Sequence, residues 1–233
     1  MNVTITDSEF KLGLASIVNV YGNRNIRSTL TVTNSLFQNI IPSTSAQKKG
    51  GVVNIEGMTY LTISKSAFTN NSVLTCGLLY IIKTNTTIIK NSTFFNNSFG
   101  MEAKGAIVSV YDSLAFHLSN SVFDNSNFIK NEVSAAEDYI KMLKSCKRYS
   151  SRGGCRYDVV RVSLSTSSVD PSDYCSNDNR EGFLFLERVN LINITGNNAF
   201  KNYESEQACV NVMHTNKLII KGKNVFDGCS SMS

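Results

Sequence analysis

Tryptophan is absent from this 233-residue chain, and histidine occurs only twice. Without an indole the strongest platform for stacking a sugar ring is missing, which leaves Tyr21 and Tyr111, at equivalent outward positions, as the residues able to serve one. His117 alternates with Phe116 and Leu118 and so points away from the core, while His214 follows Val212 in a turn. Neither has a serine, cysteine or aspartate whose proximity the sequence establishes, so no histidine-activated nucleophile is indicated. No apolar run reaches the ~18 residues that a transmembrane helix needs. There is no Cys-x-x-Cys pair and no histidine-rich cluster, which argues against a structural zinc site.

What is present is a repeat. Phe10, Phe37, Phe68, Phe94, Phe123, Phe200 and Phe226 recur in one local frame, most of them about 26 to 31 residues apart. Two positions before each stands a small polar residue (Ser8, Ser35, Ser66, Ser92, Ser121, Asn198, Asn224), and Asn39, Asn70, Asn96, Asn125 and Asn202 stand two positions after. Self-similarity at this period marks a solenoid, in which each unit buries its apolar face only against its neighbours. Upstream of the phenylalanines run alternating pairs, such as Val3 and Ile5, Leu30 and Val32, Leu61 and Ile63, or Ile192 and Ile194. A second set comprises Val18 and Val20, Val53 and Ile55, Leu79 and Ile81, Val108 and Val110, Leu184 and Leu186, and Val210 and Val212. Alternation of period two is a strand signal, so each unit carries at least two strands. Ser16, Gly51, Gly77, Ala106, Gly182 and Ala208 precede the second set, a column of small residues where backbones come close.

Helical repeats would require apolar residues at i, i+3, i+4 and i+7 and fit neither the alternation nor the β-branched, Asn-rich composition. The pattern predicts an all-β chain, a right-handed parallel β-helix of about eight coils rising ~4.8 Å each, with like residues stacked on like. Phenylalanine rings stack inside, and the asparagine column occupies a turn, where Asn tolerates left-handed backbone and its amide bonds to the coils above and below.

Gly50-Gly51-Val52-Val53, with looser versions at Cys76-Gly77-Leu78-Leu79 and Gly105-Ala106-Ile107-Val108, is followed by Phe-x-x-Asn at Phe68-Thr69-Asn70-Asn71 and Phe94-Phe95-Asn96-Asn97. These motifs resemble the repeats of the polymorphic outer-membrane protein group, within the broader pectin-lyase-like β-helix proteins. The resemblance spans about three quarters of the chain, all but the region near 128–181. It implies a surface-exposed or secreted, often adhesive, protein. Phe37, Phe123, Phe200 and Phe226 keep only Phe-x-Asn or Phe-x-Gly, and no membrane barrel region follows.

Residues 1–127 and 182–233 read as coils of one solenoid, interrupted by an insertion at 128–181. The insertion makes this connection about 48 residues longer than its counterparts. Ser134-Ala135-Ala136-Glu137 is a capping box followed by Tyr139, Ile140, Leu143 and Cys146, which predicts a helix near 135–148, with loops after it. Lys141, Lys144, Lys147, Arg148, Arg152, Arg156 and Arg161 cluster there, outweighing the whole net charge of +5. They form a candidate patch for a protein surface or an anionic glycan. Nucleic acid is not indicated, because no recognised nucleic-acid-binding motif accompanies the basic residues.

Six cysteines, three of them in the insertion, point to disulfides and an oxidising compartment. Candidates are Cys146, Cys155, Cys175, Cys209 and Cys229. Cys209 and Cys229 stand about one coil apart, within reach of each other, whereas Cys76 is too many coils from Cys209. Among the sequons, Asn91 and Asn193 alternate with inward residues and face out, with Asn85 and Asn2 as further candidates, and Asn70 and Asn96 belong to the asparagine column. The first residues already read as a strand, which suggests a piece of a longer protein with open solenoid ends available to neighbouring chains or further sequence.

Pectin-lyase-like enzymes gather several carboxylates in one cleft. Here Glu56, Asp112 and Glu187 lie near one column, but Ile82 falls between the first two, and the Asn-Thr-Asp, Gly-His-Gly and Arg-Ile-Lys motifs of the polygalacturonase group do not occur. The expected function is a noncatalytic, secreted or cell-surface module, adhesin-like or structural, without cofactor or metal. A divergent polysaccharide lyase or hydrolase, and a subunit stacking through its ends, are the alternatives.

Overall fold

The computed structural model describes residues 1–13, 17–41, 51–73, 77–99, 106–128, 160–163, 182–205 and 209–231. Among them every regular element is a strand, and the strands form three sheets with parallel pairing throughout. The first sheet stacks Asn2–Thr6, Thr29–Thr33, Tyr60–Ser64, Thr86–Lys90, Ala115–Ser119, Leu191–Thr195 and Lys217–Ile220 in that order. Among the described residues it holds seven strands, close to the expected count of about eight coils. The alternating pairs sit in register: Val3, Leu30, Leu61, Phe116, Ile192 and Leu218 share one inward column, and Ile5, Val32, Ile63, Leu118, Ile194 and Ile220 the next. This is a parallel β-solenoid.

The fourth rung departs from the pattern. Thr87 takes the place of a large apolar residue between Leu61 and Phe116, is fully buried, and its hydroxyl finds no hydrogen-bond partner. A buried, unpaired hydroxyl costs about 1–3 kcal/mol. Thr87→Val is therefore expected to stabilise the protein by about 1 kcal/mol, read as a higher denaturant midpoint; a lower midpoint would show that the hydroxyl is satisfied.

The second sheet runs Val160–Ser163, Val18–Tyr21, Val53–Glu56, Leu79–Ile82, Val108–Tyr111, Leu184–Glu187 and Val210–Met213. Its first strand comes from the insertion, pairing Val160 with Val18 and Ser163 with Tyr21. The expectation of a helical and loop insertion is corrected to that extent: part of it is a strand that covers the edge of Val18–Tyr21, where an open row of backbone groups would otherwise invite pairing. The helix expected near 135–148 lies outside the described residues.

The third sheet carries the phenylalanine column on short strands such as Leu36–Gln38, Ala67–Thr69 and Thr93–Phe95. Neighbouring rings from Phe10 to Phe123 are 4.6 to 5.0 Å apart and nearly parallel. That spacing is the interstrand distance, so the backbone ladder itself sets the ring contact.

Three corners turn the chain from sheet to sheet. Among the described residues, every positive-φ residue other than glycine falls in one of three columns: Asp7, Asn34, Lys65, Asn91 and Asn120; Leu12, Asn39, Asn70, Asn96 and Asn202; and Lys83, Asp112, Arg188 and His214. A single left-handed residue bends the strand and still lets its N–H reach the next rung, as in Asn34 to the Ser64 carbonyl (3.1 Å), Asn70 to Phe95 (3.0 Å) and Lys83 to Tyr111 (2.9 Å). The asparagine column is thus a turn column, as expected, with the Asn96 amide donating to Asn70 Oδ1 at 2.7 Å. In the first corner the Asn34 amide, with the Thr6 hydroxyl, holds the Asp7 carboxyl below the usual carboxylate range.

The small polar column before the phenylalanines is a buried ladder. The N–H of Ser35 donates to Ser66 Oγ (3.2 Å), Ser66 to Ser92 (3.3 Å) and Ser92 to Ser121 (3.3 Å), and each of these four hydroxyls donates to the carbonyl two residues earlier. Gly77 serves the small-residue column: at φ +114° a Cβ there would come within 2.5 Å of the Ala106 carbonyl oxygen.

The outer face of the second sheet is also buried. Tyr80, Ile82, Ala106, Tyr111 and Phe185 form an apolar cluster separate from the solenoid core. Tyr111 points outward, as its alternation demands, but is fully buried between Tyr80 and Phe185. It is not a surface for stacking a sugar.

Candidate functional site

Of the basic residues singled out in the insertion, only Arg161 lies among the described residues, in the backbone register opposite Asn19; Lys141, Lys144, Lys147, Arg148, Arg152 and Arg156 lie outside them. So do Cys146, Cys155 and Cys175. Cys209 and Cys229 are disulfide-bonded, with Cα atoms 6.0 Å apart. The bridge joins the start of the last rung of the second sheet to the strand Val225–Ser231 of the third, closing that coil on itself. A closed loop of 20 residues is worth about 3 kcal/mol in the chain-entropy account. Reduction, or Cys209→Ala with Cys229→Ala, is therefore expected to speed amide exchange across Val210–Met213 and Lys217–Ile220. Unchanged exchange there would remove the bridge from the account of how that coil is held.

The sequon residues separate by their contacts. Asn91 is exposed at the first corner. Asn193 faces outward but is half-buried, its amide 3.4 Å from His117 Nδ1. Asn85 donates to the Arg24 carbonyl (3.3 Å), and Asn2 accepts from Thr29 Oγ1 (2.8 Å). His117 and Asn193 sit on adjacent rungs of the first sheet's outer face.

A cleft with convergent chemistry lies at the third corner. Arg24, Lys83, Asp112, Ser113, Leu114, Arg188 and Asn190 line about 430 Å³. Stacking of parallel rungs is what brings them together: Lys83, Asp112 and Arg188 occupy successive positions of the left-handed column, where the side chain is thrown outward from the bend. Arg188 forms ion pairs with both Asp112 and the buried Glu187. Sequence reading placed the acids close to one column. The register refines this, since Glu56 and Glu187 share a column interrupted by Ile82 and Tyr111, and Asp112 lies one position further, on the corner.

The consequence is chemical. Two carboxylates held by one guanidinium are poor candidates for a general acid and base, because the ion pairs engage the groups that would have to reach a substrate's proton. Among the described residues no group of three or more His, Cys, Asp or Glu could hold a metal ion. What the cleft does hold is excess positive charge. Sequence reading identified the carboxylates and Arg188 but missed Arg24 and Lys83; the signal was the unusual length of the segment between Tyr21 and Thr29.

Fold and site together define a class of protein, the parallel β-solenoid with a basic corner cleft. Compared with known proteins, the chain matches no protein-family model, no curated protein and no solved structure. The likeness to polymorphic outer-membrane protein repeats therefore rests on the sequence motifs, and the fold agrees with it at the level of a β-solenoid.

Proposed function

We propose that this protein is a noncatalytic β-solenoid module that works outside the cell, secreted or at the cell surface, as an adhesin-like or structural element. One observation carries the reading: the acids that come closest to an enzyme-like pair, Asp112 and Glu187, are both bound to Arg188. The Cys209–Cys229 bridge favours an oxidising compartment, and among the described residues no helix is long and apolar enough to cross a membrane. The basic insertion remains the candidate interaction element, and its strand against Val18–Tyr21 ties it to the rigid stack. The test is a glycan array on the oxidised full chain, beside a variant with Lys141, Lys144, Lys147 and Arg148 changed to alanine, with unsaturated and reducing sugar products followed in the same wells. Binding without product supports the module; sustained product release makes it an enzyme.

The last rung favours a second reading, association through the solenoid axis. Leu218, Ile220 and Phe226 are about half exposed, where their counterparts one rung earlier, Ile192, Ile194 and Phe200, are buried. A further coil, from this or another chain, would cover them. Sedimentation at rising concentration, with Phe226→Ser as the comparison, distinguishes a self-associating rod from a monomer.

A further inference from the structure

The cleft at the third corner exists because one coil breaks the repeat. Between Val18–Tyr21 and Thr29–Thr33 the corner spans residues 22–28, whereas the corresponding corners span only 57–59, 83–85, 112–114, 188–190 and 214–216. The longer segment folds along the stack instead of projecting from it. Ile26 N–H closes a turn on the Asn23 carbonyl (2.9 Å), Thr59 Oγ1 donates to the Ile26 carbonyl (3.1 Å), and the Asn85 amide donates to the Arg24 carbonyl (3.3 Å). The segment thus crosses one whole rung to touch the next. Gly22 and Gly57 permit the crossing: a Cβ on Gly57 would lie 2.6 Å from the Gly22 carbonyl oxygen.

This arrangement sets Arg24 on the wall of the cleft opposite the corner residues. Arg188 is occupied by Asp112 and Glu187. Arg24 and Lys83 form no ion pair with any described residue, so two uncompensated cations from different segments share one cleft with the half-exposed Leu114 and the exposed Asn190. The volume falls in the range of small-molecule sites. An arginine presents a planar fork and a lysine a point charge. A carboxylate presents two oxygens in one plane, which a single fork matches; a sulfate monoester presents three in a pyramid, and so accepts from a guanidinium and an ammonium that approach from different segments. Leu114 offers an apolar surface for the ring that carries the group, and Asn190 can bond its hydroxyls.

We propose that this cleft binds a sulfate ester of a glycan, held by Arg24 and Lys83. The proposal rests on the reading of the protein as a noncatalytic binding module, and it places glycan recognition on the solenoid itself as well as on the insertion. The experiment is calorimetric titration of the oxidised full chain with a sulfated glycosaminoglycan tetrasaccharide, with the same tetrasaccharide after chemical desulfation, which keeps its carboxylates, and with inorganic sulfate. Arg24→Gln and Lys83→Asn are the variants, the latter chosen because asparagine tolerates the left-handed backbone at that corner. Lys217→Gln with Lys221→Gln, at the last rung, is the control with equal or greater loss of charge. Each cleft variant is expected to bind the sulfated tetrasaccharide about tenfold more weakly, the control to match the parent, and the desulfated sugar to bind weakly to all.

Equal loss in the control would reduce the effect to net charge and overturn the site. Undiminished binding of the desulfated sugar would overturn the sulfate assignment, and binding of inorganic sulfate as tight as that of the tetrasaccharide would assign the cleft to the free ion. Binding that survives both cleft variants would leave the module reading standing and remove this site. Cleavage of the tetrasaccharide, abolished or not by the variants, would instead overturn the noncatalytic reading and leave the sulfate contact to be judged on its own titrations.

Discussion

Phe94→Ala is expected to cost about 3–5 kcal/mol of stability, a large part of what holds a domain of this size. Phe94 is fully buried between Phe68, at a centroid distance of 5.0 Å, and Phe123, at 4.6 Å, with both ring pairs within 5° of parallel. Removing it deletes a large apolar side chain and both ring contacts at once. The cavity cannot collapse, because the neighbouring rungs are held apart at the interstrand distance by backbone hydrogen bonds. Phe226→Ala supplies the comparison. Its ring stacks on Phe200 at 4.9 Å on one side but is 50% exposed on the other, so the same truncation there is expected to cost about half as much or less. A solenoid unfolds by units that couple mainly to their neighbours, so amide exchange of the strands Ala67–Thr69 and Val122–Phe128 is the suitable readout beside the global denaturation midpoint. Losses of similar size at the two positions would mean that the rings act independently of the column.

The phenylalanine column was legible because stacking forces one residue type to one place on every rung, and a repeat of that kind survives in the sequence as a period. The same holds for the strands, for the asparagine turn column, and for Cys209 and Cys229, which one coil of chain places side by side. Three things were not legible. Alternation gives the direction of Tyr111 but not its exposure, which Tyr80 and Phe185 on neighbouring rungs decide. The third corner carries Lys83, Asp112, Arg188 and His214 in left-handed backbone, residues with no shared local preference for it, so only the glycines at 22 and 57 mark that corner in the sequence. The corner cleft depends on a segment that skips a rung to bring Arg24 over Lys83, a juxtaposition that no local pattern encodes.

The adjacent asparagines at 70 and 71 show how finely the two kinds of column differ, and exchanging them is expected to give opposite results. Asn70 is the left-handed turn residue, at φ 54°, with its side chain accepting from the Asn96 amide near solvent. Asn70→Gly keeps the backbone accessible and gives up one exposed hydrogen bond, so a change within about 1 kcal/mol is expected. Asn71 is 1% exposed, and its side chain replaces backbone pairing inside the corner: Oδ1 accepts from Ile40 N–H (3.0 Å), while Nδ2 donates to the Phe37 carbonyl (3.0 Å) and to Asn97 Oδ1 (3.0 Å). Asn97 repeats the contact one rung on, donating to the Phe68 carbonyl at 2.9 Å. Asn71→Leu keeps the branching at Cγ, with added bulk, and strands the Ile40 N–H and the Phe37 carbonyl where water does not reach. At about 1–3 kcal/mol for each unpaired group, the loss is expected near 4 kcal/mol, comparable with Phe94→Ala although hydrophobicity increases. Denaturation of the two variants side by side settles it. A leucine tolerated at 71 would mean that the polar ladder is incidental to a stack held by its apolar columns; a severe loss there with indifference at 70 would make the buried amide ladder a second requirement of the fold, equal in weight to the phenylalanine column it runs beside.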